Sequence, residues 1–265
     1  AIASELNVRN NQVEAAVKLI DEGCTIPFIS RYRKEATGAL NDEQLRNLDE
    51  RLKYLRNLED KKAQVIASIA EQGLLTDELK NQIEKADTMV AVEDLYRPYR
   101  PKRRTRATIA KEKGLEPLAN VILLQMTGEP VVKTAEEYVS EEKDVKTPED
   151  AVAGAKDIIA ESISDNADYR TRIRELTFKE GVLTSAAKDA EAKTVYEMYY
   201  NFSEPAAKMA GHRILAVNRG ENEKILTVKI EAPVDKILAY LEKQIIVRDN
   251  QYTTGIIKEA IEDSY

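Results

Sequence analysis

The stretch "NDEQLRNLDERLKYLRNLEDKKAQVIASIAEQG", residues 41–73, constrains the fold more than any other. Leu45, Leu48, Leu52, Leu55, Leu58, Ile66 and Ile69 recur at helical spacing. Asn41 with Gln44 three residues on resembles a capping box, and Gly73 supplies a stop. The pattern predicts one helix of about 30 residues, roughly 45 Å long at 1.5 Å per residue. A strict heptad fails, because Glu59 and Lys62 fall where the leucine seam would continue. The stripe therefore drifts at a period near 3.6, which favours packing against helices of the same chain over a two-chain coiled coil.

Around this strut the chain reads as mainly α. Residues 1–40 hold short helices: Val13, Val17 and Ile20 at helical spacing, a stop at Gly23, then Pro27 opening "PFISRYR". Their arrangement is helix-turn-helix-like, a shape used both for DNA binding and for packing. Residues 41–210 read as a helical body containing the long helix, with further helices over 115–126 and 148–180. "RILAVNRGENEKILTVKI" holds two short β-branched runs divided by a polar turn containing Gly220, which predicts a β-hairpin element over 211–232. Residues 233–265 read as C-terminal helices leading to a missing downstream domain, because "GIIKEAIEDSY" carries no stop signal. The expected architecture is an elongated multi-helix body with a long central helix, a helix-turn-helix-like N-terminus and a small β-hairpin.

Several chemistries have no foundation here. No two of the 10 glycines lie closer than nine positions apart, so neither a phosphate-binding nor a dinucleotide-binding glycine loop is present. One cysteine, Cys24, and one histidine, His212, exclude Cys/His zinc sites and intrachain disulfides. No catalytic residue, metal or cofactor is expected. The tyrosines of "VYEMYYNF" (Tyr196, Tyr199, Tyr200) are read as core. Apolar runs are far short of the roughly 20 residues that span a bilayer, and no signal pattern opens the chain, so a cytoplasmic protein with no membrane partner is expected.

The most unusual local chemistry is "YRPYRPKRRTRATIA", residues 96–110. Arg97, Arg100, Lys102, Arg103, Arg104 and Arg106 crowd into ten positions of a chain whose net charge is −7, and no acidic residue falls between Asp94 and Glu112. Pro98 and Pro101 keep this backbone extended, so the cations fan out from a stiff loop. Thr105 or Thr108 is placed to cap the following helix. Two readings stay open. The guanidinium groups bind nucleic-acid phosphates, with Arg31, Arg33 and Lys34 as an auxiliary set, or they clasp carboxylates and clamp neighbouring domains.

"PFISRYRKEATGALNDEQLRNLDERLKYLRNLE", "EDLYRPYRPKRRTRATIAKEKGLEPLA" and "GHRILAVNRGENEKILTVKI" resemble successive blocks of the Tex family of bacterial transcription accessory proteins, in the same order and over nearly the whole chain. The resemblance implies an N-terminal helical portion, lacking a ribonuclease-H-like domain, a helix-hairpin-helix element and a C-terminal OB-type RNA-binding domain found in full-length relatives. It further implies a non-enzymatic scaffold in transcription, with RNA or another nucleic acid bound weakly by this portion. The transcription machinery and the downstream domains of its own chain are the other partners implied.

Overall fold

A computed structural model describes residues 2–101 and 104–265. The chain divides into two compact units, one ending at Tyr96 and the other running from Arg97 to Tyr265.

In the first unit, α1 (Ile2–Glu5), α2 (Asn10–Asp21) and α3 (Ile26–Tyr32) precede the long α4 (Asp42–Glu71), followed by α5 (Asp77–Lys85) and α6 (Met89–Tyr96). The capping box is reciprocal: Gln44 N donates to Asn41 Oδ1 at 2.8 Å and Asn41 N to Gln44 Oε1 at 3.0 Å. Leu45 and Leu48 are buried with Ile2, Ala16, Ile29 and Leu40, so the first turns of α4 carry the short N-terminal helices. Further along, α4 is laced to α5 and α6 by polar contacts. Tyr54 Oη accepts from Met89 N at 3.1 Å, and Ser68 Oγ and Tyr96 Oη share a hydrogen bond at 3.0 Å. Lys62, which interrupts the heptad, is nonetheless buried. Its Nζ donates to Glu59 Oε1 at 2.8 Å and to the Glu84 carbonyl at 2.9 Å, neutralising the C-terminal end of α5.

The second unit is organised around α10 (Pro148–Asp165), capped by Thr147. Its buried face of Ala151, Ala155, Ile158, Ile159 and Ile163 meets α7 (Arg106–Glu112), α8 (Glu116–Leu124), α9 (Val131–Ala135) and α14 (Thr254–Ser264). Also in this unit are α11 (Ala167–Glu180) and α13 (Val234–Ile245), with Ile237 and Leu241 completing the same core. Beside it, β1 (Val182–Ala187), β2 (Asn201–Pro205) and β3 (Leu226–Glu231) form an antiparallel sheet in the order β2-β1-β3, with Thr184 opposite both Ser203 and Lys229.

The mainly α reading with a small β element holds, but the hairpin expected over 211–232 does not form. Residues of "RILAV" belong to a helix, α12 (Gly211–Asn222), and only the second run is a strand, β3. Gly220 is the reason. Read as a turn residue, it lies on the inner face of α12 one turn after buried Val217, where a Cβ would stand 2.7 Å from Leu226 Cδ1 and 3.1 Å from Tyr196 Cδ1. The glycine permits a close helix-to-strand approach rather than a reversal. Strand β1, which pairs both neighbours, buries alternate positions, Leu183 and Ser185, but its sequence VLTSAA does not alternate apolar with polar. Tyr196 and Tyr199 are core residues, as expected.

Candidate functional site

On α10, Asp157, Glu161 and Asp165 stand four positions apart and hence on one ridge of the helix, beside the apolar stripe, with Asp165 itself buried. Three like charges at this spacing repel by about 0.2–0.5 kcal/mol per adjacent pair, and Asp165 closes the helix at the negative end of its dipole. Three described residues of the basic segment, Arg97, Thr105 and Arg106, meet this ridge in reverse order. Arg97 Nε donates to Asp165 Oδ1 at 2.9 Å, Thr105 Oγ1 donates to Glu161 Oε1 at 2.9 Å, and Arg106 Nη1 stands 3.4 Å from Asp157 Oδ1. Arg106 also reaches α14, its Nη2 donating to Asp263 Oδ2 at 2.6 Å. One guanidinium thus bridges two helices.

Thr105 has a second task. Its Oγ1 accepts from Thr108 N at 3.0 Å and caps α7, so of the two candidate threonines it is Thr105 that starts this helix. Arg104 pairs with Glu112 at 2.7 Å, but both side chains are more than half exposed, at 67% and 52%. Arg100 is exposed and makes no ion pair among the described residues. Lys102 and Arg103 lie outside the described residues. Tyr96 anchors to Ser68, with Lys61 Nζ 5.9 Å from its ring centroid.

The electrostatics of the ridge are uneven. Asp165 keeps only 10% of its side-chain exposure and sits 2.9 Å from Arg97 Nε. Burial raises the Asp157 carboxyl above its ordinary value, with Arg106 opposing the rise and Asp263 adding to it. Arg106 lies nearer Asp263, so Asp157 has the weaker share of the shared cation.

The auxiliary set belongs to the first unit. Arg31, Arg33 and Lys34 are exposed and form no ion pair among the described residues; Arg33 Cζ stands 5.5 Å from the Phe28 ring centroid. Glu35, next to Lys34 in the sequence, is exposed too. Cys24 is half-buried at the edge of the N-terminal core, and His212 is exposed in the first turn of α12. Among the described residues no group of three or more His, Cys, Asp or Glu is arranged to hold a metal ion, and no helix is long and apolar enough to cross a membrane.

What sequence reasoning missed is the acidic side of the site, Asp157, Glu161, Asp165 and Asp263. The i, i+4, i+8 acidic ridge on α10 is the signal that pointed to it.

The chain matches the Tex-like protein N-terminal domain over residues 1–70 and the Tex central region-like family over 127–260. The segment 97–106 falls between the two. An uncharacterized Bacillus subtilis protein, YdcI, is 51% identical over 267 residues, covering 100% of this chain and 37% of that protein. The transcriptional accessory protein Tex of Neisseria gonorrhoeae is 41% identical over 262 residues, covering 96% of this chain and 34% of its own length. A human protein named S1 RNA-binding domain-containing protein 1 is 32% identical over 224 residues, covering 81% of this chain and 22% of that protein. The chain spans about a third of the length of its bacterial relatives. With both family regions matched in order on a mainly helical chain, this protein belongs to the Tex family.

Proposed function

We propose that this chain is a non-enzymatic, cytoplasmic scaffold region of a Tex-like transcription accessory factor that works on RNA, and that its arginine segment serves as an intramolecular clasp. One observation carries the clasp: Arg97, Thr105 and Arg106 are matched in order to Asp165, Glu161 and Asp157 along one ridge of α10. The names of two relatives, one a transcriptional accessory protein and one an RNA-binding-domain protein, support the wider role. Other partners of the reading are the transcription machinery and downstream domains of a longer chain.

A second reading keeps auxiliary phosphate contacts for the loop through Arg97, Arg100, Lys102, Arg103, Arg104 and Arg106. It is favoured by the exposure of Arg100 and by the Arg104–Glu112 pair, since exposed pairs contribute about 0–1 kcal/mol and exchange readily for phosphate. The two readings separate in one titration: labelled single-stranded RNA added at two salt concentrations to the wild type and to the triple variant Arg97→Ala, Arg104→Ala, Arg106→Ala. A clasp predicts an unchanged salt dependence of binding and a lower melting temperature. A shallower salt dependence with unchanged melting sinks the clasp and installs the phosphate site.

A further inference from the structure

The first unit carries an exposed aromatic surface that its own fold leaves open. Phe28 and Tyr32, four apart on α3, pack with ring centroids 5.3 Å apart and planes tilted by 44°. They are 39% and 68% exposed, whereas Ile29 between them is fully buried against the core. Arg33 covers the Phe28 ring, which leaves Tyr32 as the free face of a short stack of guanidinium, phenyl and phenol groups. Arg31 and Lys34 flank it without ion pairs among the described residues.

Cations left unpaired on an acidic chain need an explanation. Between Glu22 and Asp42 the only acid is Glu35. Two other carboxylates of the N-terminal helices, Glu5 and Asp21, are held by Arg51 and Arg56, with the carboxyl of each drawn below its ordinary value by the hydrogen bonds it accepts.

The surface is also built. Thr37 is fully buried, its Oγ1 donating to the Arg33 carbonyl at 3.2 Å, and Gln12 Nε2 on α2 donates to the carbonyls of Thr37 at 3.2 Å and Gly38 at 2.8 Å. Gly38 has φ +60°, and a Cβ there would stand 2.8 Å from Gln12 Nε2, so this fastening requires glycine. The segment carrying Arg33 and Lys34 is thereby tied to a helix of the core.

We infer that Phe28, Tyr32, Arg31, Arg33 and Lys34 form a binding platform for single-stranded nucleic acid, with an unpaired base stacking on Tyr32 and adjacent phosphates contacting Arg31 and Lys34. Any base offers a π face, so stacking is sequence-tolerant, but a base inside a duplex has none to offer. Cations beside an open ring therefore select single strands without reading their sequence. The inference rests on the reading of the chain as RNA-associated and gives that reading a location other than the arginine clasp.

The test is fluorescence anisotropy of a labelled oligouridylate of about 12 nucleotides with the chain, beside a duplex of equal length. Tyr32→Ala is expected to weaken single-strand binding by about 5- to 150-fold, the range of a lost base stack, while Tyr32→Phe restores it. The double variant Arg31→Ala, Lys34→Ala is expected to reduce the slope of log affinity against log salt by about 1.4, at about 0.7 per phosphate contact. Binding by the wild type that Tyr32→Ala leaves within about twofold overturns the platform but not the RNA reading. Equal affinity for duplex also overturns the platform. No binding by the wild type overturns both.

Discussion

Replacing Arg97 by Ala removes the guanidinium that holds Asp165 at the end of α10. The pair is asymmetric, because Arg97 is half-exposed while the carboxylate retains 10% exposure. Exposed ion pairs contribute about 0.2–1 kcal/mol, and a hydrogen bond to a charged group about 1.5–3 kcal/mol. Solvent reaches Arg97 far more than Asp165, so a loss between the two, about 1.5–2 kcal/mol, is expected. In a unit of this size each kcal/mol moves the melting temperature by about 2–4 °C, which gives a fall of about 3–8 °C. Arg104→Ala is the internal control: its pair with Glu112 is open on both sides, and its loss is expected to stay within about 0.5 kcal/mol, or about 2 °C. Calorimetry on the two variants decides the matter. Equal melting of Arg97→Ala and the wild type, or a larger fall for Arg104→Ala, would show that the ridge does not depend on its cations.

Three further outcomes follow from the packing and the charges. Gly220→Ala gains about 1 kcal/mol of helix propensity but places a methyl 2.7 Å from Leu226 Cδ1; overpacking costs about 1–3 kcal/mol, so a net loss near 1 kcal/mol is expected in urea unfolding, and a stabilised variant would refute the close approach. Asp157 has a folded pKa raised above its ordinary 3.8, so the folded chain holds that proton more tightly than the unfolded chain does. Its contribution turns unfavourable as pH climbs through that window. Asp157→Asn should therefore gain on the wild type as pH rises from the ordinary carboxylate range, and a difference that stays flat as the carboxyl ionises contradicts the burial argument. Asn41→Ala removes one half of a reciprocal cap and is expected to cost about 1 kcal/mol; denaturant midpoints matching the wild type would mean that α4 is held by packing alone.

The parts of this fold that were legible in sequence are those whose causes are local. The α4 stripe, its capping box and its stop all lie within 33 consecutive residues, and Thr105 was one of two candidates for the cap of α7. The parts that were not legible depend on distant neighbours. Gly220 reads as a turn until Leu226 and Tyr196 are seen pressing on it, and β1 is a strand because β2 and β3 flank it. The basic segment is the sharpest case. Its acid-free window left both an outside polyanion and carboxylates of the same chain open, and the carboxylates that meet it lie far off in sequence, Asp165 at 68 residues and Asp263 at 157. Charge balance within a window of sequence says little about charge balance in space. Arg31 and Lys34 illustrate the converse, since Glu35 is adjacent in sequence yet forms no ion pair with them among the described residues.

The clasp is tested most directly by a double-mutant cycle on Arg97 and Asp165. Unfolding free energies are measured for the wild type, Arg97→Ala, Asp165→Asn and the double variant. A coupling of at least about 1 kcal/mol is predicted, because the two side chains act through one charge-assisted hydrogen bond. Additivity within about 0.3 kcal/mol would contradict it.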